Sequence, residues 1–169
     1  MDPAASHLLG ELIRGRSVAS LATLHDGLPF ASMVPYATWH DAAGHLLFVT
    51  HVSRLSAHTR DMMESPQVCL LITAPENAAG SEPLPPQALP RVSIPAVAAF
   101  IDPQHPDHAK LARAYLEKFP YAADWFQLDD FSIVAFAPSA SARFIAGFAR
   151  ALTVSAAQLH TAVGGAGQS

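Results

Sequence analysis

The chain is poor in cysteine and in charge: one Cys and only 14% Asp, Glu, Lys and Arg in 169 residues. A single thiol excludes a disulfide framework and agrees with a reducing compartment, so the cytoplasm is expected. Cys69 stands inside the apolar run Val68-Cys69-Leu70-Leu71-Ile72, where a buried thiol behaves as a small hydrophobe. The net charge of −4 and the scattered basic residues leave no footprint for nucleic acid. No run reaches the ~18 to 20 apolar residues of a membrane span, and no basic segment with an apolar core opens the chain. There is no G-x-S-x-G elbow, no zinc-protease histidine pair, no Rossmann fingerprint and no internal repeat. Nine histidines invite a metal reading, but none falls in a ligand pattern, so no metal is expected.

What is abundant is apolar: 50% of residues are hydrophobic, enough for one domain over 1–169 to bury a core. The few charges cannot cover a monomer's surface comfortably, and burial of part of it in a homodimer is expected.

Periodicity divides the chain. Ser6 to Arg16 reads as an amphipathic helix with Ser6 as its cap. Alternation then marks a strand from Ser17 to Leu24, a hairpin turn at Asp26-Gly27 and a returning strand from Phe30 to Ala37. A turn at Asp41 to Gly44 leads to a strand at His45 to Thr50, a helix at Ser53 to Met63 and a strand at Gln67 to Thr73. Residues Ala74 to Pro90 are rich in Pro, Ala, Gly and Glu and predict an exposed, mobile loop. Arg91 to Ile101 resumes the alternation, with Pro95 suited to a sheet edge or bulge. Pro106 opens a helix that runs to Phe119. Two last strands, Phe131 to Phe136 and Ala142 to Phe148, follow, the second continued by Leu152-Thr153-Val154. A helical turn from Ala156 to Val163 precedes a flexible tail over 164–169. About seven antiparallel strands with three or four peripheral helices predict a small barrel.

The segment from Thr50 to Met63 carries the chemistry. A strand ending at Thr50 hands over to a helix with Ser53 as its natural N-cap, so the first-turn amides face whatever lies beyond the strand. Arg54, His58 and Thr59 are spaced to add a fork donor, an imidazole and a hydroxyl, which suits a phosphate; an ordinary capped surface helix reads the same way. Tyr36, Trp39, Tyr121, Trp125 and Phe126 serve either a pocket wall or a dimer core. Arg150, between Phe148 and Leu152, needs an anionic partner if buried: a cofactor, a substrate carboxylate, or Asp129 or Asp130. A lone histidine such as His160 suffices to ligate haem iron, although a solvated surface side chain is the simpler reading.

The segments LATLHDGLPFASMVPYA, LLFVTHVSRLSAHTRDMMESPQVCLL, Arg91-Val92-Ser93-Ile94, AYLEKFPYAADWF with Asp130-Phe131, and ARFIAGFARAL occur in that order. In this combination the chain resembles the FMN-binding split-barrel proteins related to pyridoxamine 5'-phosphate oxidase, and within them the haem-utilisation branch. The resemblance implies a mainly β, α+β fold: an antiparallel split β-barrel with peripheral helices, dimeric, with FMN in a groove between subunits. It implies Ser32, Met33, Val34 and Pro35 along the flavin, and Thr50, Ser53, Arg54, His58 and Thr59 around its phosphate, with Arg150 as a further contact. The implied function is an FMN-dependent oxidoreductase acting on an unidentified small molecule, its catalytic residues not named by any motif. Haem binding or degradation is one alternative, and a flavin carrier or sensor without turnover another. Three departures stand out: Asp61 replaces the Asn of many relatives and is expected to turn outward or pair with Arg60, Pro95-Ala96 stand where relatives usually continue with polar residues and glycine, and the chain ends at Ser169 where the haem branch often carries a further C-terminal domain.

Overall fold

The structure, a computed structural model, describes residues 1–76 and 84–164. The middle of the proline-rich loop and the C-terminal tail, both expected to be mobile, lie outside the described residues. The first helix, α1 (Pro3–Gly15), starts earlier than expected: the carboxylate of Asp2 accepts from the Ala5 amide at 2.9 Å. Asp followed by Pro at the first helical position is a stronger start than Ser6, because Pro has no amide to leave unpaired.

Strand β1 (Val18–His25) turns at Asp26 and Gly27, both at positive φ, and returns as β2 (Leu28–Pro35). Positive φ at both central residues is what a two-residue hairpin needs to match the strand twist. The return strand was expected to reach Ala37, but the ladder stops at Pro35, and the Tyr36 amide crosses to the Ser17 carbonyl. Tyr36 is fully buried and donates its hydroxyl to the Ile13 carbonyl at 2.6 Å, which pins the crossing. From there β3 (Ala37–His40) pairs with β4 (Leu46–Ser53) instead.

Helix α2 (Ala57–Glu64), strand β5 (Gln67–Thr73) and strand β6 (Arg91–Phe100) follow. The Ala74 amide bonds the Pro90 carbonyl, which draws the ends of the intervening loop together. Pro95 lies inside a central strand, where the sequence pointed to a sheet edge or a bulge. Its carbonyl points toward the side where β6 changes partners, and the ladders there stop at Ser93 and resume at Ala96. The missing amide therefore falls in a gap and costs no ladder bond.

Helix α3 (His108–Lys118) begins after Asp107, and a 3-10 helix (Pro120–Gln127) leads to β7 (Phe131–Pro138). The last strand was expected to run through Arg150. Instead β8 (Ala142–Ile145) ends, a turn with Gly147 and Ala149 at positive φ reverses the chain, and β9 (Ala151–Val154) pairs back onto β8. Helix α4 (Ala156–Gly164) closes the described chain.

The described strands form one nine-stranded antiparallel sheet, ordered β2-β1-β5-β6-β7-β4-β3, with β8 on β6 and β9 on β8. It curls so that β2 and β4 approach one another across the split, giving the split barrel with peripheral helices that the sequence implied. Phe48 and Val52 of β4 face the barrel core, whereas Val49 of the same strand faces a second core with Leu111, Tyr115 and Phe119. Burial on both faces explains why β4 reads as a continuous apolar run.

Candidate functional site

Strand β4 runs three residues past its expected end, and this re-aims the corner behind it. Ser53 still pairs with Phe131, its hydroxyl donates to Asp130 Oδ2 at 2.6 Å, and it accepts from the Leu55 amide at 3.1 Å. Ser53 is thus a strand end tied to β7, and Ser56, a turn later, holds the N-cap position without a side-chain cap bond. The displacement follows from Asp130, whose carboxylate and carbonyl take the Ser53 hydroxyl and the Arg54 amide.

The other residues expected around the phosphate fall into two groups. Thr59 is fully buried and donates to the Ser53 carbonyl at 2.8 Å, and the Arg54 guanidinium is folded onto the Asp129 carbonyl. These two are engaged in holding the turn. Thr50 and His58 are not engaged: Thr50 Oγ1 and His58 Nε2 are buried and make no hydrogen bond. Burial also holds the His58 ring below the ordinary imidazole range, against the opposing charge of Asp61, so it is neutral near pH 7.

Across the split, β2 is an end strand bonded only to β1, so its outer edge of amides and carbonyls has no strand partner among the described residues. Of the flavin-lining candidates, Ser32 points inward with Leu21, and its hydroxyl is a third buried group without a partner. Leu28 and Phe30 share that face by the two-residue period and are 69% and 37% exposed. Met33 points the other way and is 59% exposed, Val34 is core, and Pro35 ends the strand half-buried.

Two expectations are corrected. Arg150 lies in the β8–β9 turn, half exposed, with its guanidinium on the carboxylate of Asp2 rather than on Asp129 or Asp130. The strand registers put that turn at the Val18 end of the barrel, opposite α2, so within one chain it does not join the corner. Asp61 turns neither outward nor to Arg60. It is 3% exposed, accepts from the Thr23 hydroxyl at 2.7 Å and meets His25 Nδ1 at 2.7 Å. Burial pushes this carboxyl up, but the bonds from His25 and Thr23 prevail and hold it below its usual range.

Sequence reasoning missed Thr23, His25 and His51. Thr23 was legible as an inward position of an alternating strand. His51 stacks on Phe126 with ring centroids 3.8 Å apart and 5° between planes, a pairing between residues distant in sequence. Of the proposed aromatic wall, Tyr36 is core and Trp39 and Phe126 pack on the second core, while Tyr121 and Trp125 are exposed. His160 is not the solvated side chain expected; it packs edge-on against His40.

The chemistry of the corner follows from these groups. Two hydroxyls and a neutral imidazole without partners, on β2, β4 and α2, with exposed apolar side chains along the free strand β2, suit a flat apolar ligand bearing an anionic group.

Comparison with known proteins agrees with the split-barrel reading. The family model described as the CREG β-barrel matches residues 10–160. The chloroplastic heme oxygenase HOZ of Arabidopsis thaliana is 30% identical over 135 residues, which are 79% of this chain and 37% of HOZ. A heme binding protein from Mycobacterium smegmatis superimposes with a TM-score of 0.76 at 25% identity, over 95% of this chain and 62% of that one. HutZ of Vibrio cholerae, described as a heme storage protein, matches in fold with a TM-score of 0.65 at 22% identity, over 83% of this chain and 92% of HutZ. The chain therefore spans about a third of HOZ and under two thirds of the mycobacterial protein. No helix of the described residues is long and apolar enough to cross a membrane.

Proposed function

The chain belongs to the CREG β-barrel family, and from that premise we propose that it is a haem-binding protein whose single barrel domain acts as a homodimer in the cytoplasm. This replaces flavin oxidoreduction as the leading reading. The observation that carries it is the set of unpartnered buried groups, Ser32 Oγ, Thr50 Oγ1 and His58 Nε2, bordered by Leu28 and Phe30. Buried polar atoms are normally paired, so three unpaired ones on β2, β4 and α2, the first two of which meet across the split, call for a ligand that supplies partners. Haem joins a flat apolar ring to carboxylates, and the likeness to HOZ over most of this chain favours it over other ligands of that shape.

In this reading the apolar side chains of β2 would cover the ring, and Thr50 and His58 would offer hydrogen bonds to a carboxylate. Ser53, Thr59 and Arg54 keep the corner in place. Haem would supply an iron centre for oxygen or electron chemistry; the chain's own part is binding, orientation and exclusion of water. Haem degradation is the enzymatic form of this proposal.

FMN is the second reading, favoured by the unpaired edge of β2, which offers amides and carbonyls that the polar edge of a flavin uses and a porphyrin does not. One pair of titrations separates the two. Haemin should give a Soret band that saturates with protein, whereas saturable quenching of flavin fluorescence with no Soret change would replace haem by FMN. Failure of both titrations would remove the site.

A further inference from the structure

His40 ends β3 and His160 lies in α4, residues 120 positions apart that the fold sets edge to face with ring centroids 4.7 Å apart. His40 Nε2 and His160 Nδ1 are both buried, and neither makes a hydrogen bond. Gly44 and Gly164 lie beside the rings. A Cβ on Gly164 would stand 3.7 Å from His40 Nε2 and 3.9 Å from His160 Cε1, and one on Gly44 would stand 3.6 Å from the same His160 carbon. Burial, and then the neighbouring His160, hold the His40 ring below the ordinary imidazole range, so its lone pair is free near pH 7.

His160 also lines a cavity of about 470 Å³ with apolar walls from Leu46, Leu47, Ala137 and Pro138, and His40 packs against the edge of that same ring. This cavity is at the far end of β4 from Ser53, some ~23 Å away at the rise of an extended strand. It is thus separate from the groove assigned to haem. At its rim Asp41 Oδ2 holds His45 Nδ1 at 3.0 Å, an imidazole already oriented by a carboxylate.

We propose that His40 and His160 clamp one divalent transition-metal ion of the zinc, nickel or copper class, with its remaining positions open to water or to a small donor molecule in the cavity. Imidazole nitrogen is a preferred donor for these ions, and two buried ring nitrogens with no other partner are what such an ion would satisfy. Among the described residues no three metal-binding side chains stand close enough to enclose an ion. A two-imidazole site is accordingly an open one, and open positions are where metal sites take up exogenous ligands. By bridging β3 and α4 the ion would also fasten the last helix to the barrel.

The test uses the untagged full chain, with Co²⁺ titrated by its visible absorption and Zn²⁺ by its effect on thermal unfolding. The expected result is one Co²⁺ per chain and a rise in melting temperature with Zn²⁺, because a ligand that binds only the folded state stabilises it. His40→Ala and His160→Ala should each weaken binding by at least about tenfold, the loss that follows even removal of an outer-shell partner. Gly164→Val keeps both imidazoles but adds branched methyl groups against both rings, and it should also lose the ion, a readout that stands if either alanine variant fails to fold. His45→Ala should keep it. Absence of saturable binding to the wild type, or undiminished binding in the His40, His160 and Gly164 variants, would overturn the proposal.

Discussion

Asp61 and His25 meet at 2.7 Å across the α2–β1 contact, and the second carboxylate oxygen of Asp61 takes the Thr23 hydroxyl at the same distance. The hydrogen bond from His25 to Asp61, followed by the carboxylate's charge, raises the imidazole above its ordinary pKa. A raised histidine stabilises the fold fully below its unfolded value of 6.5, and that contribution is lost as pH rises through the folded value. Asp61→Asn keeps the shape and the Thr23 contact but removes the charge. The stability difference between wild type and variant should therefore shrink as pH rises above 6.5, and the His25 NMR titration should move to lower pH. An unchanged titration would mean that the pair does not form in solution.

Thr50 tests the groove without disturbing its shape. Its hydroxyl is buried and unpaired, a condition that costs about 1 to 3 kcal/mol relative to a satisfied group. Thr50→Val removes the polar atom at nearly constant volume, so the ligand-free protein should become more stable by roughly 1 kcal/mol in urea unfolding. Haemin affinity should fall in the same variant by about tenfold or more, the usual effect of losing a hydrogen bond to a charged group. Higher stability with unchanged affinity would show that the hydroxyl faces no ligand.

The strand ladder was legible because β1, β2 and β5 alternate and Asp26-Gly27 sets one register. The corner was legible in composition but not in detail: Thr59 does close onto Ser53, yet Asp130 holds Ser53 in the strand and moves the helix start to Ala57. No local pattern announces a tie across 77 positions. Arg150 was misplaced for a related reason, since the apolar residues on both sides of it read as one strand although the chain reverses between them. The pairs His51–Phe126 and His40–His160 depend wholly on tertiary contact and had no sequence signal.

The outer face of the β2-β1-β5 sheet should be where two copies meet. Met33 and Leu71 flank Ser20 on this face, and Ala31 and Cys69 flank Ala22, so the surface is small, apolar and without charge. Light scattering at low micromolar concentration should give twice the 17.9 kDa chain mass. Ala22→Glu would place a carboxylate opposite its own copy or in an apolar contact and should give a monomer with the same circular dichroism. A dimer that survives this substitution would move the interface elsewhere.

His51 sets the acid limit of stability. It is 7% exposed, stacked on Phe126 and close to Tyr115 and Phe131, and burial, helped by the charge of His108, pushes its pKa down to about 4. A histidine that must remain neutral in the fold stabilises it fully above 6.5, and the contribution is lost as pH falls toward 4. For a shift of this size the loss is up to ~3 kcal/mol. His51→Phe keeps an aromatic ring against Phe126 and removes the proton site, so urea unfolding of the variant should change much less between pH 6.5 and pH 4 than that of the wild type. Because His25 contributes in the opposite sense above 6.5, these two histidines together put the stability maximum near pH 6.5. The His51 variant should keep the decline on the alkaline side of that maximum while losing part of the decline on the acid side. If both limbs remain as in the wild type, His51 is solvated and the stacked arrangement does not hold it neutral.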